Sequence, residues 1–305
     1  MTPAVRLNRP LVVFAFVMGV LAVVSTVGLL VDPRVLTGVP IWLKPWKFAV
    51  SLGLYAATLA WMLSVLPRRS RVAEWSAFAL VGAGTVEMAV ILIQVVRGQT
   101  SHFNETTPLN AALWGAMGQA VQVLFAAHLV VAVIALRQPI ADRTAAYAIR
   151  LGLGLSTLGM LAAVPMVLPG RSTMPGITGG HSVGVPDGGP GLALTGWSTV
   201  GGDLRIGHFV GLHALQVLPI LAYLGQRLPA GRLTEATRAR LLVVVSGGYA
   251  GLIVLLTWQA LRAQPLLRPD GLTLAVAGAL VLATGLGAAA VVAGNRRADL
   301  ALASA

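Results

Sequence analysis

The chain has no cysteine, which removes disulfides, thiolate zinc sites, iron–sulfur clusters, covalent c-type haem and cysteine nucleophiles together. Charge is scarce too. Asp, Glu, Lys and Arg make up 10% of 305 residues, 56% are hydrophobic, and the mean hydropathy is +0.81. A soluble globule of this length needs more polar surface, so the chain reads as an integral membrane protein with membrane lipid as its surroundings. Carboxylates are the rarer sign, 10 Asp and Glu against 22 Lys and Arg, for a net charge of +12. The basic residues are spread between apolar runs rather than gathered on one face, which argues against nucleic acid as a partner and fits positive loops beside membrane spans. HExxH is missing, so a zincin site is not expected, and Ser198 and Thr199 in GWST lack a nucleophile elbow.

What is present is a series of eight apolar runs. They predict spans over about 11–31, 48–66, 72–96, 111–136, a fifth ending near Leu168, then 207–228, 241–261 and 272–294. The first run is longer than the apolar core of a secretory signal. The expected fold is all-α: a polytopic membrane helix bundle of about eight transmembrane helices, forming one membrane domain over 1–305. With both termini inside, the inner segments hold Arg6, Arg9, Arg68, Arg69, Arg71, Arg137, Arg143, Arg227, Arg232, Arg238, Arg240, Arg296 and Arg297. The outer ones hold Arg34, Lys44, Lys47, Arg97, Arg171, Arg205, Arg262 and Arg268. Thirteen against eight supports that orientation.

Between the fifth and sixth spans, residues 169–206 make a Gly-rich connection far longer than two packed spans need. Loops beyond about 15 residues are functional or disordered. This one carries few charges, and Val183, Val185, Leu192, Leu194 and Trp197 offer it packing groups, so an ordered exoplasmic cap is expected. Pro165 and Pro219 should bend the two helices that flank it. Gly247 and Gly251 read as close helix packing.

Polar chemistry collects on the same side. Lys44, Lys47, Arg97, His102, Asn104, Glu105, His181, Asp187, Asp203, Arg205 and His208 all fall at the outer face, with His213 just below. Two readings compete with plain solvation. One is a pocket for a small polar or amphipathic molecule, bound or transported, made by Arg97, His102, Asn104, Glu105, His181, Asp187, Asp203, Arg205, His208 and His213. Glu87, Gln94 and Gln216 would supply intramembrane polar groups, Glu87 in particular, because a carboxylate near mid-membrane costs at least about 2.5 kcal/mol. Glu87, Gln94 and Arg97 would form a polar ladder. The other reading is a metal-dependent membrane enzyme, redox or hydrolytic, acting on a lipid or quinone at the outer leaflet. A metal ion would then sit on His102, His181 and His208. His208 and His213 cannot share that ion, being about 140° apart around a helix. His128 and His213 differ by roughly 18 Å in depth and do not suit a haem clamp. His128 is expected to bond within the bundle, to Gln119 or Gln122.

Three segments, IWLKPWKFAVSLGLYAATLAW at 41–61, RGQTSHFN at 97–104 and HSVGVPDGGPGLALTGWSTVGGDLRIGHFVGLHALQ at 181–216, resemble a family of bacterial multi-pass integral membrane proteins of undetermined activity. The resemblance implies a bacterial inner-membrane location and leaves substrate, oligomeric state and reaction open.

Overall fold

The computed structural model describes residues 7–168, 170, 172, 174–227 and 233–303, with side chains described as far as Asn295. Arg6, Pro169, Arg171, Leu228 and Arg232, placed above in loops or at a span end, lie outside the described residues, as do the side chains of Arg296 and Arg297. Eight helices carry nearly all the regular structure: α1 Arg9–Val31, α2 Leu43–Val65, α3 Arg71–Arg97, α4 Pro108–Arg137, α5 Arg143–Leu161, α6 Arg205–Gln226, α7 Glu235–Leu261 and α8 Gly271–Ala303. By length and composition each is able to cross a membrane, α5 when extended through the 3-10 turn Val164–Val167 that contains Pro165. The chain is an all-helical, multi-pass membrane protein. The only strands among the described residues are two-residue pairs, β1 Val35–Leu36 with β2 Val39–Pro40 and β3 Ser182–Val183 with β4 Gly202–Asp203, both antiparallel.

Side-chain caps fix most helix starts. Asn8, Ser70, Thr107, Asp142 and Thr234 accept from backbone N–H groups in the first turns of α1, α3, α4, α5 and α7, and Asp270 does the same for Thr273 in α8. Two starts depart from the sequence reading by five residues or more: α7 begins at Glu235 rather than about Leu241, so Arg238 and Arg240 lie in its first two turns and not in a loop. α2 begins at Leu43 rather than about Phe48, so Lys44 and Lys47 lie on its first turns and not in a loop. Pro45 is its third residue, where an amide has no intrahelical partner to lose, and the apolar window had simply started after the last lysine.

Large apolar side chains point outward, Phe16, Trp75, Val96 and Val281 among them, while alanines such as Ala49, Ala56, Ala60 and Ala77 fill the inter-helix contacts. That inversion of a soluble core is expected where lipid solvates the outside and close packing must hold the inside. One buried cluster draws on α1 to α4 together with Ile149 and Leu153 of α5 and Leu215 of α6, another on α5 to α7, and α8 is added against α7. The two groups meet along α4 with α5 and α2 with α6. α5 and α6 approach most closely at Gly159 and Gly211, where a Cβ on Gly159 would stand 2.5 Å from the Gly211 carbonyl carbon. Against α8 it is Gly251 and Gly248 that admit Leu280 and Thr284, whereas Gly247 faces open space.

Candidate functional site

The long loop packs against three separate outer connections. Asn104 bridges to Ile177, and Thr178 N–H donates to the Phe103 carbonyl at 2.9 Å. Gly38 and Gly188 lie in contact, a Cβ on Gly38 falling 2.4 Å from the Gly188 oxygen, and Gly202 presses on the Ala260 carbonyl at the end of α7. Charged groups hold the loop's second half. Asp203, fully buried, accepts from Ser198 N–H (2.8 Å), Arg205 N–H (3.1 Å), Arg205 Nε (2.9 Å) and Arg205 Nη2 (2.5 Å). Arg205 also donates to the Gly196 carbonyl at 2.6 Å, and Lys47 Nζ donates to the Thr195 carbonyl at 2.7 Å.

In the first half, Asp187 accepts from His181 N–H, Ser182 N–H and the His181 ring. Burial by itself would raise the Asp187 carboxyl, but these hydrogen bonds outweigh it and hold the group below the usual carboxylate range. Burial pushes the His181 imidazole below the ordinary histidine value despite its bond to Asp187. His102 is pushed well down, first by burial and then by the charges of Lys44, His181 and His208.

His102 and His181 lie within electrostatic reach of Lys44, and His208 within reach of those two histidines. Lys44 senses Glu87, Arg205, Lys47 and Asp187. Aromatic rings pack round His102: Phe48 and Trp114 both at 5.6 Å between centroids, and Phe103 at 5.9 Å. Phe103 also meets His181 at 5.1 Å. Phe103 adopts φ 62°, a left-handed conformation that costs a bulky residue about 1–3 kcal/mol. Strain of that kind is tolerated where the surroundings hold the residue, here the carbonyl bond from Thr178 and the ring contacts.

Beneath this cluster lies Glu87. It is 4% exposed, and its Oε1 has no hydrogen-bond partner. Among the described residues neither Glu87 nor the Lys44 ammonium enters an ion pair or hydrogen bond; Lys44 stands only over the Phe48 ring, at 6.0 Å. A buried carboxylate and a half-buried ammonium that sense each other without closing are costly to maintain.

The remaining sequence-selected residues divide into separate groups. Gln94, Arg97 and Asn104 satisfy one another through Asn110: Gln94 Nε2 and Arg97 Nη1 both donate to Asn110 Oδ1, at 3.1 and 2.7 Å, and Asn104 closes the set with Thr106. This network knits the 98–107 loop to α3 and α4, and no bond links it to Glu87. Glu105 is exposed and borders an open groove of about 490 Å³ with Phe103, Trp114, Val167, Ile177 and Thr178. His208 turns to α5, where its Nδ1 donates to the Gly159 carbonyl at 2.8 Å. His213 turns to α2 instead, bonded to Gln216 at 3.1 Å and 3.5 Å from Ser51 Oγ, while Gln216 donates to Thr58 at 3.0 Å. A thin polar seam thus runs between α2 and α6.

His128 pairs with neither Gln119 nor Gln122. Those lie about 180° and 120° round the helix from it, and it bonds instead to Tyr55 Oη at 2.9 Å and the Leu153 carbonyl at 3.1 Å, joining α2, α4 and α5. Among the described residues no group of three His, Asp or Glu side chains is placed to hold a metal ion. His102, His181 and His208 each engage one ring nitrogen elsewhere, with Ser101, Asp187 and Gly159. Sequence reasoning placed Lys44 at the outer face but left it, like Phe103, out of the pocket. A lysine three residues before another, with proline between, was the available signal for the first; positive φ at a phenylalanine leaves none. Comparison with family models, with curated proteins and with solved structures finds no match to this chain.

Proposed function

We propose that this chain is a binding or transport protein of the bacterial inner membrane, with both termini cytoplasmic and residues 169–206 forming an exoplasmic cap. Its ligand is a small polar or amphipathic molecule received beneath the cap. The observation that carries the reading is the pair of Lys44 and Glu87, an amine and a carboxyl that form no ion pair or hydrogen bond among the described residues, set among aromatic rings and histidines. Lys44 offers an anion contact, Glu87 a proton or a cation contact, and Phe48, Phe103 and Trp114 an apolar wall. The bacterial location rests on the segment resemblance, and the orientation on the arginine asymmetry.

Thermal-shift screening of the detergent-purified protein against small carboxylates, zwitterions and lysophospholipids identifies a ligand class. Uptake into proteoliposomes loaded with a pH-sensitive dye then tests the role of Glu87. Glu87→Gln is expected to abolish pH-dependent uptake while expression and melting behaviour stay unchanged. Unaltered pH-dependent uptake by that variant refutes the assignment.

A further inference from the structure

At the end of the bundle away from the long loop, a groove of about 280 Å³ runs between α5, α7 and α8. Arg143, Tyr147, Arg240, Val243, Val244 and Val291 line it. Arg143 is the first residue of α5 and Arg240 lies in the second turn of α7. Among the described residues neither guanidinium forms an ion pair or a hydrogen bond. Among the described carboxylates at this end, Asp142 caps α5 and accepts from Gln226, Glu235 accepts the backbone N–H of Arg143, and Glu74 faces Arg69 at 3.9 Å. The groove is layered. Tyr147 is one turn further into the bundle than Arg143, and Val243 and Val244 one turn further than Arg240, about 6 Å deeper. Val244 in turn touches α8 at Gly287. Cations at the rim above an apolar wall match a molecule that is anionic at one end and hydrocarbon at the other. The positive ends of two helices, α5 and α7, add to the field at the rim.

We propose that this groove is a binding site for one anionic phospholipid, its phosphate held by Arg143 and Arg240 and an acyl chain lying along Val243, Val244 and Val291. Free phosphate is also an anion but has no use for the valine wall, so the lipid is the occupant that uses the whole groove.

The test is native mass spectrometry of the full chain in detergent, titrated with dioleoylphosphatidylglycerol, dioleoylphosphatidylcholine or inorganic phosphate. Wild type should prefer the phosphatidylglycerol by about 30-fold, the effect of about 1 kcal/mol per arginine. An Arg143→Ala/Arg240→Ala variant should lose that preference, and Arg68→Ala/Arg69→Ala, which thins charge at the same end outside the groove, should keep it. Val244→Trp retains both arginines but fills the groove, and should also lose the lipid. Arg143→Lys/Arg240→Lys guards against misfolding by keeping charge, and should retain most binding. Equal losses in the two arginine-to-alanine variants mean that spread charge, not this groove, attracts the lipid, and overturn the proposal. So does undiminished binding by Val244→Trp, or displacement of the lipid by inorganic phosphate at equal concentration.

Discussion

Replacing Asp203 by asparagine keeps the side chain's size and removes its charge. The carboxylate is fully buried and is the acceptor for two backbone N–H groups and for two nitrogens of Arg205. Removing one partner of a buried charge pair costs about 3–5 kcal/mol. Arg205 is 28% exposed, and water reaching its guanidinium reduces that to about 2–3 kcal/mol. The loss is local, because Asp203 ties the segment around Ser198 to the start of α6 and takes no part in helix-to-helix packing. At about 1.4 kcal/mol per tenfold, opening of that segment should become roughly 30- to 150-fold more frequent. Hydrogen exchange followed by mass spectrometry reads it directly. The amides of Ser198 and of Gly201, which donates to Ser198 Oγ at 3.0 Å, should exchange faster by that factor, while amides within α5 and α7 keep their rates. Unchanged exchange at Ser198 and Gly201 would refute the role assigned to Asp203. A uniform rise through α5 to α7 would refute its local character.

Two further outcomes follow from the same geometry. The imidazoles of His102 and His181 are held below the ordinary histidine value of about 6.5 in the folded protein. Below that pH the unfolded chain therefore binds protons that the folded chain refuses, so their contribution is present above about 6.5 and is lost as pH falls. Between pH 7.5 and 5.5 each should remove at most about 1.4 kcal/mol, lowering the thermal midpoint in detergent; a flat or rising midpoint on acidification contradicts the burial argument. Asp187, held below its usual range, adds a loss only under about pH 4. Gly159→Ala places a methyl 2.5 Å from both Gly211 C and Leu212 N, so α5 and α6 must part at a cost of about 1–3 kcal/mol. The thermal midpoint should drop, and a variant as stable as wild type would mean that the helices do not pack through these glycines.

Class and spans were open to sequence because they depend on bulk quantities. Eight runs of sufficient length and apolarity leave no other arrangement that satisfies backbone hydrogen bonds in lipid. The site was open only in part, for reasons visible at particular residues. His102, His181, Asp187, Asp203, Arg205 and His208 stood out because polar groups near a span are expensive and therefore informative. Their partners are set by which way each side chain turns, and loop residues carry no periodicity from which to read it. Arg97, Gln94 and Asn104 look like ligand contacts by type, yet Asn110 satisfies them from one turn inside α4.

Lys44 is the instructive failure. A hydropathy window discards a helix's charged first turn, which is where a membrane protein sets charge against its own interior. The ends of the apolar runs, rather than their middles, therefore hold the residues that a window average hides. In this chain one such end places a lysine from α2 within electrostatic reach of a carboxyl from α3, Glu87, whose Oε1 has no hydrogen-bond partner. The lysine is explained by the carboxylate at mid-span, and the carboxylate by the lysine at the rim. Sequence showed Glu87 near mid-span and Lys44 at the outer face without joining them, so the pair required the fold.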